Sequence, residues 1–333
     1  MEIKRALMVP YTQAGSRLDC SSFQATFHIV QSKPDSVLKV YGTESLYGGF
    51  LDLSNPQVRR EVIEREMQCL GMLAPEARPR ITRTNVNGVE LTALEMARYE
   101  PSDFLDYRLD RGEKVGKGVV ERVAERLAGF HFHNGFCPPA EISSMYSFLR
   151  DLIGIEDRML TGKFYPELGA KSNWWKTATI RYLLANEPSL KRYSKLVGAP
   201  IVGHGDIKSD NIVIANDGAI LLLDSAPVPV WRINTRRMDA DFFRTELEIR
   251  GLTPEMKKFW ATYDELYYYN LDKQGLSRSQ IEEVREINKI HDTISRIYRL
   301  YIFLRLSHPN LHNKPERAKI CEALLDKACA EIS

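Results

Sequence analysis

The chain has 333 residues, 44% of them apolar and 27% charged, the balance of an ordinary globular protein with ample material for a buried core. Its 46 basic and 44 acidic residues leave a formal charge of +2, so bulk charge recruits neither nucleic acid nor an anionic membrane, and neither is expected as a partner.

The front of the chain reads as strands. Phe23 to Val30 (FQATFHIV) and Ser36 to Tyr41 (SVLKVY) are β-branched and aromatic runs on either side of the turn-forming SKPD. Asn55 and Pro56 mark a helix entrance. Val62, Glu66, Cys69, Leu70 and Leu73 follow at helical spacing until Pro75 and Pro79 end the element. ITRTNVNGVELTALEM predicts a further strand pair turning at Asn87-Gly88. From about Pro101 the pattern becomes helical. Val120, Val123, Leu127 and Phe130 make one apolar stripe, and Ile287, Ile290, Ile294, Ile297, Tyr301 and Leu304 a longer one. Inside this helical part, NIVIANDGAILLLD predicts a hairpin turning at Asp217-Gly218. A hinge near Glu95 to Pro101 divides the chain into residues 1–98 and 99–333.

The five cysteines, Cys20, Cys69, Cys137, Cys321 and Cys329, are odd in number and widely spaced, with no CxxC pair. That pattern argues against a disulfide framework or a zinc site and for reduced thiols. The opening MEIKRALMVPYTQAG has too short an apolar part for a signal peptide. The most apolar late stretch, IYRLYIFLRL, is interrupted by Arg299 and Arg305 and cannot span a bilayer. A cytoplasmic protein is expected.

The chemistry concentrates in Gly203-His204-Gly205-Asp206-Ile207-Lys208-Ser209-Asp210-Asn211, which runs into Ile212-Val213-Ile214 and closes at Asp224. Phosphoryl transfer needs metal ligands, a cation for the phosphates and a carboxylate to orient the acceptor. Magnesium takes oxygen ligands and keeps several waters, so one or two carboxylates and an amide oxygen suffice. A hairpin that starts after Asn211 and ends at Asp224 brings those two side chains to one end of a strand pair. Asp206, on the entering loop, can face the same cavity.

HGDIKSDN followed by a hairpin and LLLD resembles the catalytic and metal-binding segments of the aminoglycoside phosphotransferase and choline kinase superfamily. The resemblance implies an α+β, bilobal, protein-kinase-like fold. A small β-rich N-lobe, residues 1–98, would bind nucleotide, and a larger, mostly helical C-lobe, residues 99–333, would carry the catalytic loop, metal site and acceptor-binding helices. It implies Asp206 as the acceptor-facing catalytic carboxylate and Asn211 and Asp224 as metal ligands. Asp224-Ser225-Ala226 lacks the phenylalanine and glycine of the protein-kinase DFG triplet, which fits the small-molecule branch better.

The same resemblance assigns Lys39 to the α- and β-phosphates of the nucleotide and Glu66 to holding that lysine, with Glu64 the alternative partner. A lysine flanked by apolar strand residues is awkward without an anion in any case. Glu95, Met96 and Ala97 are the hinge candidates for the nucleotide base. Gly15 and Ser16 are the candidates for the phosphate-covering turn, a weaker pattern with a single glycine. Lys208 occupies the offset at which serine/threonine protein kinases carry a lysine on the γ-phosphate. Its alternative is an exposed loop lysine. His131, in LAGFHFHNGF, reads as structural. Asp239 or Asp241, in RRMDADFF, resembles the aspartate that anchors the catalytic loop. Trp174 and Trp175 either stack on a substrate or, as favoured here, anchor a helix.

The resulting expectation is an enzyme that uses magnesium to move the γ-phosphate of ATP, with GTP as the alternative donor, to a hydroxyl. The acceptor is a small molecule such as a sugar, amino alcohol or antibiotic, with a neutral or anionic metabolite fitting better than a polycationic drug. A serine/threonine protein kinase, argued from Lys208, and a nucleotide-binding scaffold without activity are the alternatives. Oligomeric state is not legible.

Overall fold

β-Branched runs at the front of the chain pair into an antiparallel sheet. The computed structural model describes residues 3–4, 25–30, 33–41, 45–46, 51–52, 55–86, 89–133, 168–197, 203–225, 236–306 and 314–333. Strands β1 (Ile3–Lys4), β2 (Ala25–Val30) and β3 (Lys33–Tyr41) are followed by β4 (Ser45–Leu46) and β5 (Leu51–Asp52), which pair with each other. With β6 (Arg80–Val86) and β7 (Val89–Ala97), the first three make a five-stranded sheet in the order β1-β2-β3-β7-β6. Val86 faces Val89 across the β6–β7 connection; Asn87 and Gly88 themselves lie outside the described residues.

One boundary differs from the sequence expectation. β3 already begins at Lys33, inside the segment read as a turn. Val30 faces Lys33 while Ile29 faces Val37, so Pro34, Asp35 and Ser36 bulge out of the β2 pairing. A proline has no N–H to give a ladder and is tolerated in such an irregular stretch.

Helix α1 (Pro56–Leu73) follows its sequence signals closely. The Asn55 side chain caps it by accepting from the Gln57 N–H at 2.9 Å, and Pro56 opens the first turn. Its buried face is Val62, Ile63, Glu66, Cys69, Leu70 and Leu73. The carboxylate in that apolar row demands a partner.

By compactness the chain divides into Met1–Val119 with His204–Pro229, and Val120–Gly203 with Val230–Ser333. The segment from His204 therefore groups with the sheet rather than with the helices that surround it in sequence. In this first unit a short helix α2 (Leu105–Asp110) precedes the predicted hairpin, now β8 (Ile212–Ile214) and β9 (Ile220–Leu222). Gly218, with φ +82°, makes its turn.

The second unit is helical: α3 (Val119–Phe132), α4 (Gly169–Val197), α5 (Arg236–Ile249), α6 (Thr253–Lys273), α7 (Arg278–Leu306) and α8 (Pro315–Glu331). Trp175, Ile249, Ile297, Leu300, Tyr301, Cys321 and Leu325 belong to its core. Trp175 stands edge-on to Tyr301 and donates Nε1–H to Asp326 Oδ1 at 2.8 Å, so it anchors α4. Trp174 is exposed. Cys69, Cys321 and Cys329 are buried free thiols, and burial pushes the last two up to about 12. Among the described residues no helix is long and apolar enough to cross a membrane.

The helices also bury charge. Arg237 donates to both oxygens of Asp292, at 2.9 and 2.7 Å, and also contacts Asp264. The Trp260 ring lies 4.5 Å from its guanidinium carbon. His291 is buried nearby, its ring centred 4.5 Å from that of Tyr193, and its Nε2 has no partner among the described residues. Burial, reinforced by Arg237, lowers its pKa from 6.5 to about 3.

His291 is thus neutral in the folded chain and takes up a proton on unfolding. A depressed native pKa means stability that is present above pH 6.5 and lost as pH falls toward 3. The loss attributable to His291 is about 2 kcal/mol at pH 5. Thermal unfolding between pH 7.5 and pH 5 should show a steeper drop in Tm for the native chain than for His291→Gln.

Candidate active site

Lys39 lies in the middle of the sheet, with Phe27 opposite it on β2 and Leu94 opposite it on β7. Its side chain is almost wholly buried. The ammonium donates to Glu66 Oε1 at 2.7 Å and also contacts Asp224 Oδ1. Glu64, the alternative partner, instead pairs with Arg60 at 2.7 Å on the exposed side of α1. One cation therefore serves two carboxylates. Burial opposes charge on Lys39, but Asp224 and Glu66 together hold its pKa above the usual lysine value. Burial pushes Glu66 up to about 7 against the pull of Lys39. Burial also opposes the charge on Asp224, yet Lys39 and Lys208 keep its carboxyl below the usual range.

The hairpin supplies Asp224. Leu223 N–H donates to the Asn211 carbonyl at 2.8 Å, which closes the open end of β8–β9 with Asn211 and Asp224 beside each other in the fold. A one-residue bridge from Phe104 to Val213 fastens the hairpin to the segment before α2. Asp224 has φ +54°, a left-handed conformation uncommon for residues other than glycine, though aspartate and asparagine adopt it more readily than most. Held strain of that kind clusters at functional sites.

The loop before the hairpin is built from its own side chains. Asn211 Nδ2 donates to the Asp206 carbonyl at 2.8 Å and to Asp206 Oδ2 at 3.2 Å. Lys208 Nζ lies 3.1 Å from Asp206 Oδ2. Ser209 Oγ donates to Asp106 Oδ1 on α2 at 3.1 Å. His204 is the residue whose part the sequence did not reveal. Its buried Nε2 donates to the Leu223 carbonyl at 2.9 Å, and its Nδ1 accepts from the Asp206 N–H at 3.3 Å. One neutral imidazole thereby ties the loop at Asp206 to the residue before Asp224. Only the short His-Gly-Asp string hinted at this.

Of the hinge candidates, Glu95 is enclosed by strands on both sides, facing Leu38 on β3 and Arg80 on β6, and its side chain pairs with Arg80. Met96 and Ala97 face Val37 and Ser36 on β3 but lie past the start of β6. Their backbone groups are therefore better placed than those of Glu95 to meet a ligand from that side. Gly15 and Ser16 lie outside the described residues.

In the second unit His131 Nε2–H donates to Asp239 Oδ2 at 3.0 Å, and its Nδ1 accepts from the Tyr263 hydroxyl at 2.7 Å. All three are buried, in keeping with a structural histidine. Asp241 instead pairs with Arg244 at 3.1 Å. Tyr263 had no signal in the sequence beyond its place in an aromatic-rich helix. Gly203, which leads into His204, lies so close to Asp239 that a Cβ there would stand 3.0 Å from Oδ2. Gly203→Ala should therefore push Asp239 off His131 and lower stability by about 1–3 kcal/mol, read as a drop in the denaturation midpoint.

No protein-family model matches the sequence, and a search of curated proteins finds no match. Solved structures do match. Choline kinase from Cryptosporidium parvum aligns with a TM-score of 0.58 at 12% identity, over 99% of this chain and 89% of that one. Glucosamine kinase in complex with glucosamine, ADP and inorganic phosphate aligns at 0.53 and 14% identity, over 92% and 75%. A further crystal form of glucosamine kinase gives 0.52 and 14%, over 96% and 93%. Identities this low speak to architecture, and the α+β, kinase-like architecture of this chain is the one that choline kinase and glucosamine kinase share.

Proposed function

We propose that the chain is a magnesium-dependent phosphotransferase that moves the γ-phosphate of ATP to a hydroxyl of a small molecule. The observation that carries this reading is the lysine shared between Glu66 and Asp224, in the same unit as the Asp206–Asn211 loop. A buried ammonium whose second partner, Asp224, has a side chain 46% exposed is placed to exchange that partner for phosphate oxygens. The fold adds support, because glucosamine kinase of that fold is known with ADP and glucosamine bound.

The donor set fits magnesium. Asp224 offers a carboxylate, and Asn211 commits its amide nitrogen to Asp206, so the remaining polar atom of its side chain is an oxygen. Bound there, the ion would neutralise charge on the phosphates. Lys39, steadied by Glu66, would hold the α- and β-phosphates. The backbone of Met96 and Ala97, with Glu95 as the third hinge candidate, would meet the base. Asp206 would accept a hydrogen bond from the acceptor hydroxyl and align it with the γ-phosphorus. Residues 1–98 would then bind the nucleotide and residues 99–333 the acceptor.

The acceptor class expected here is a neutral or anionic hydroxylated metabolite, such as a sugar. Lys208 beside Asp206 favours a second reading, a protein serine or threonine acceptor. γ-Labelled ATP and magnesium, supplied with a cell extract split into metabolite and protein fractions, separate the two. Label in the metabolite fraction, reduced about 10²–10⁴-fold by Asp206→Asn, supports the small-molecule reading. Label in protein would replace it with the second. Transfer that is indifferent to Asp206→Asn would refute the site.

A further inference from the structure

Lys208 does not sit alone beside Asp206. Its ammonium lies between two carboxylates, 3.1 Å from Asp206 Oδ2 and 3.4 Å from Asp210 Oδ2. Asp210 occupies the middle of the 3-10 turn Ser209–Asn211. Both its neighbours are tethered: Ser209 Oγ donates to Asp106, and Asn211 holds Asp206 through its side chain and the Lys208 carbonyl through its N–H at 2.9 Å. The turn that carries Asp210 is therefore held on both sides, which keeps its carboxylate within reach of the lysine. Its other oxygen, Oδ1, is buried and has no partner among the described residues. A carboxylate left half-satisfied costs stability. Its one partner of opposite charge among the described residues is the loop lysine.

We infer that Asp210 is a positioning residue for Lys208, holding the ammonium at the catalytic loop while Asp206 exchanges that lysine for the acceptor hydroxyl. The inference rests on the phosphotransfer reading. If Lys208 had Asp206 as its sole partner, turning toward the γ-phosphate would leave the ammonium without an anchor on the loop. With Asp210 as a second, fixed anchor, the lysine can turn toward the γ-phosphate without leaving the loop. Asp206 is then released to accept from the hydroxyl. Asp210 touches neither substrate in this scheme and acts through Lys208.

The test uses the full chain, γ-labelled ATP with magnesium, and label appearing in inorganic phosphate or the metabolite fraction. Asp210→Asn should lower kcat about ten- to a hundredfold, the scale of a misplaced catalytic group, with the KM for MgATP near native. Asp210→Glu should restore most of the loss. In a Lys208→Met background, Asp210→Asn should cost nothing further, because the two act as a unit. A purely structural Asp210 would instead give additive losses, a lowered Tm and no kcat-specific signature. Full activity in Asp210→Asn, or additivity with Lys208→Met, overturns the inference while leaving the phosphotransfer reading in place. Absence of transfer by the native chain, or transfer that survives Asp206→Asn, overturns the reading itself.

Discussion

A lysine in the centre of a sheet has to be neutralised where it stands, and in this protein that requirement organises the first unit. The Lys39 side chain is only 3% exposed, so water does not meet its charge. Its charge is met by Glu66 from the apolar face of α1 and by Asp224 from the end of the β8–β9 hairpin. The net result is one cation between two carboxylates. Removing the lysine would leave both acids in need of a partner, and breaking a buried pair of this kind typically costs about 3–5 kcal/mol. The contact therefore stabilises the unit and, under the proposed function, holds the charges that a polyphosphate and a cation would claim.

The hairpin brings Asp224 to Lys39, and the His204 imidazole keeps it in register. By bonding to the Leu223 carbonyl and to the Asp206 N–H, His204 fixes the separation of the loop carboxylate and the hairpin carboxylate. Asn211 adds a second link, from its side chain to Asp206 and from its backbone to Leu223. Asp206 and Asn211 are thus held through backbone as well as side-chain groups, while Lys208 and Asp224 are held through ion pairs. Preorganisation of this sort is what electrostatic catalysis uses, because little rearrangement is left for the moment of reaction.

Much of this was legible in the sequence, for identifiable reasons. The α1 entrance was readable because Asn55-Pro56 is a capping signal that works locally. That Lys39 needs an anion was readable from its apolar strand, whereas Glu66 as that anion came from the family resemblance, with Glu64 left as the alternative. Both hairpins were readable from Asn-Gly and Asp-Gly between apolar runs. What stayed hidden depends on partners far apart in the chain. Asp106 meets Ser209, and Tyr263 meets His131, across more than a hundred residues of sequence, and neither has a spacing to betray it. The start of β3 at Lys33 was missed because Pro34 normally argues for a turn, whereas here the register shift opposite Ile29 and Val30 accommodates it. No local motif in the sequence names an acceptor.

In the proposed function Lys39 meets the phosphates of the nucleotide, and Asp224 with Asn211 would hold the metal. Calorimetric titration of ADP into the native chain and into Asp224→Asn, each with and without magnesium, tests it most directly. Magnesium should tighten ADP binding to the native chain, and Asp224→Asn should erase this gain. Native binding that is absent, or equally tight with and without magnesium, would contradict it.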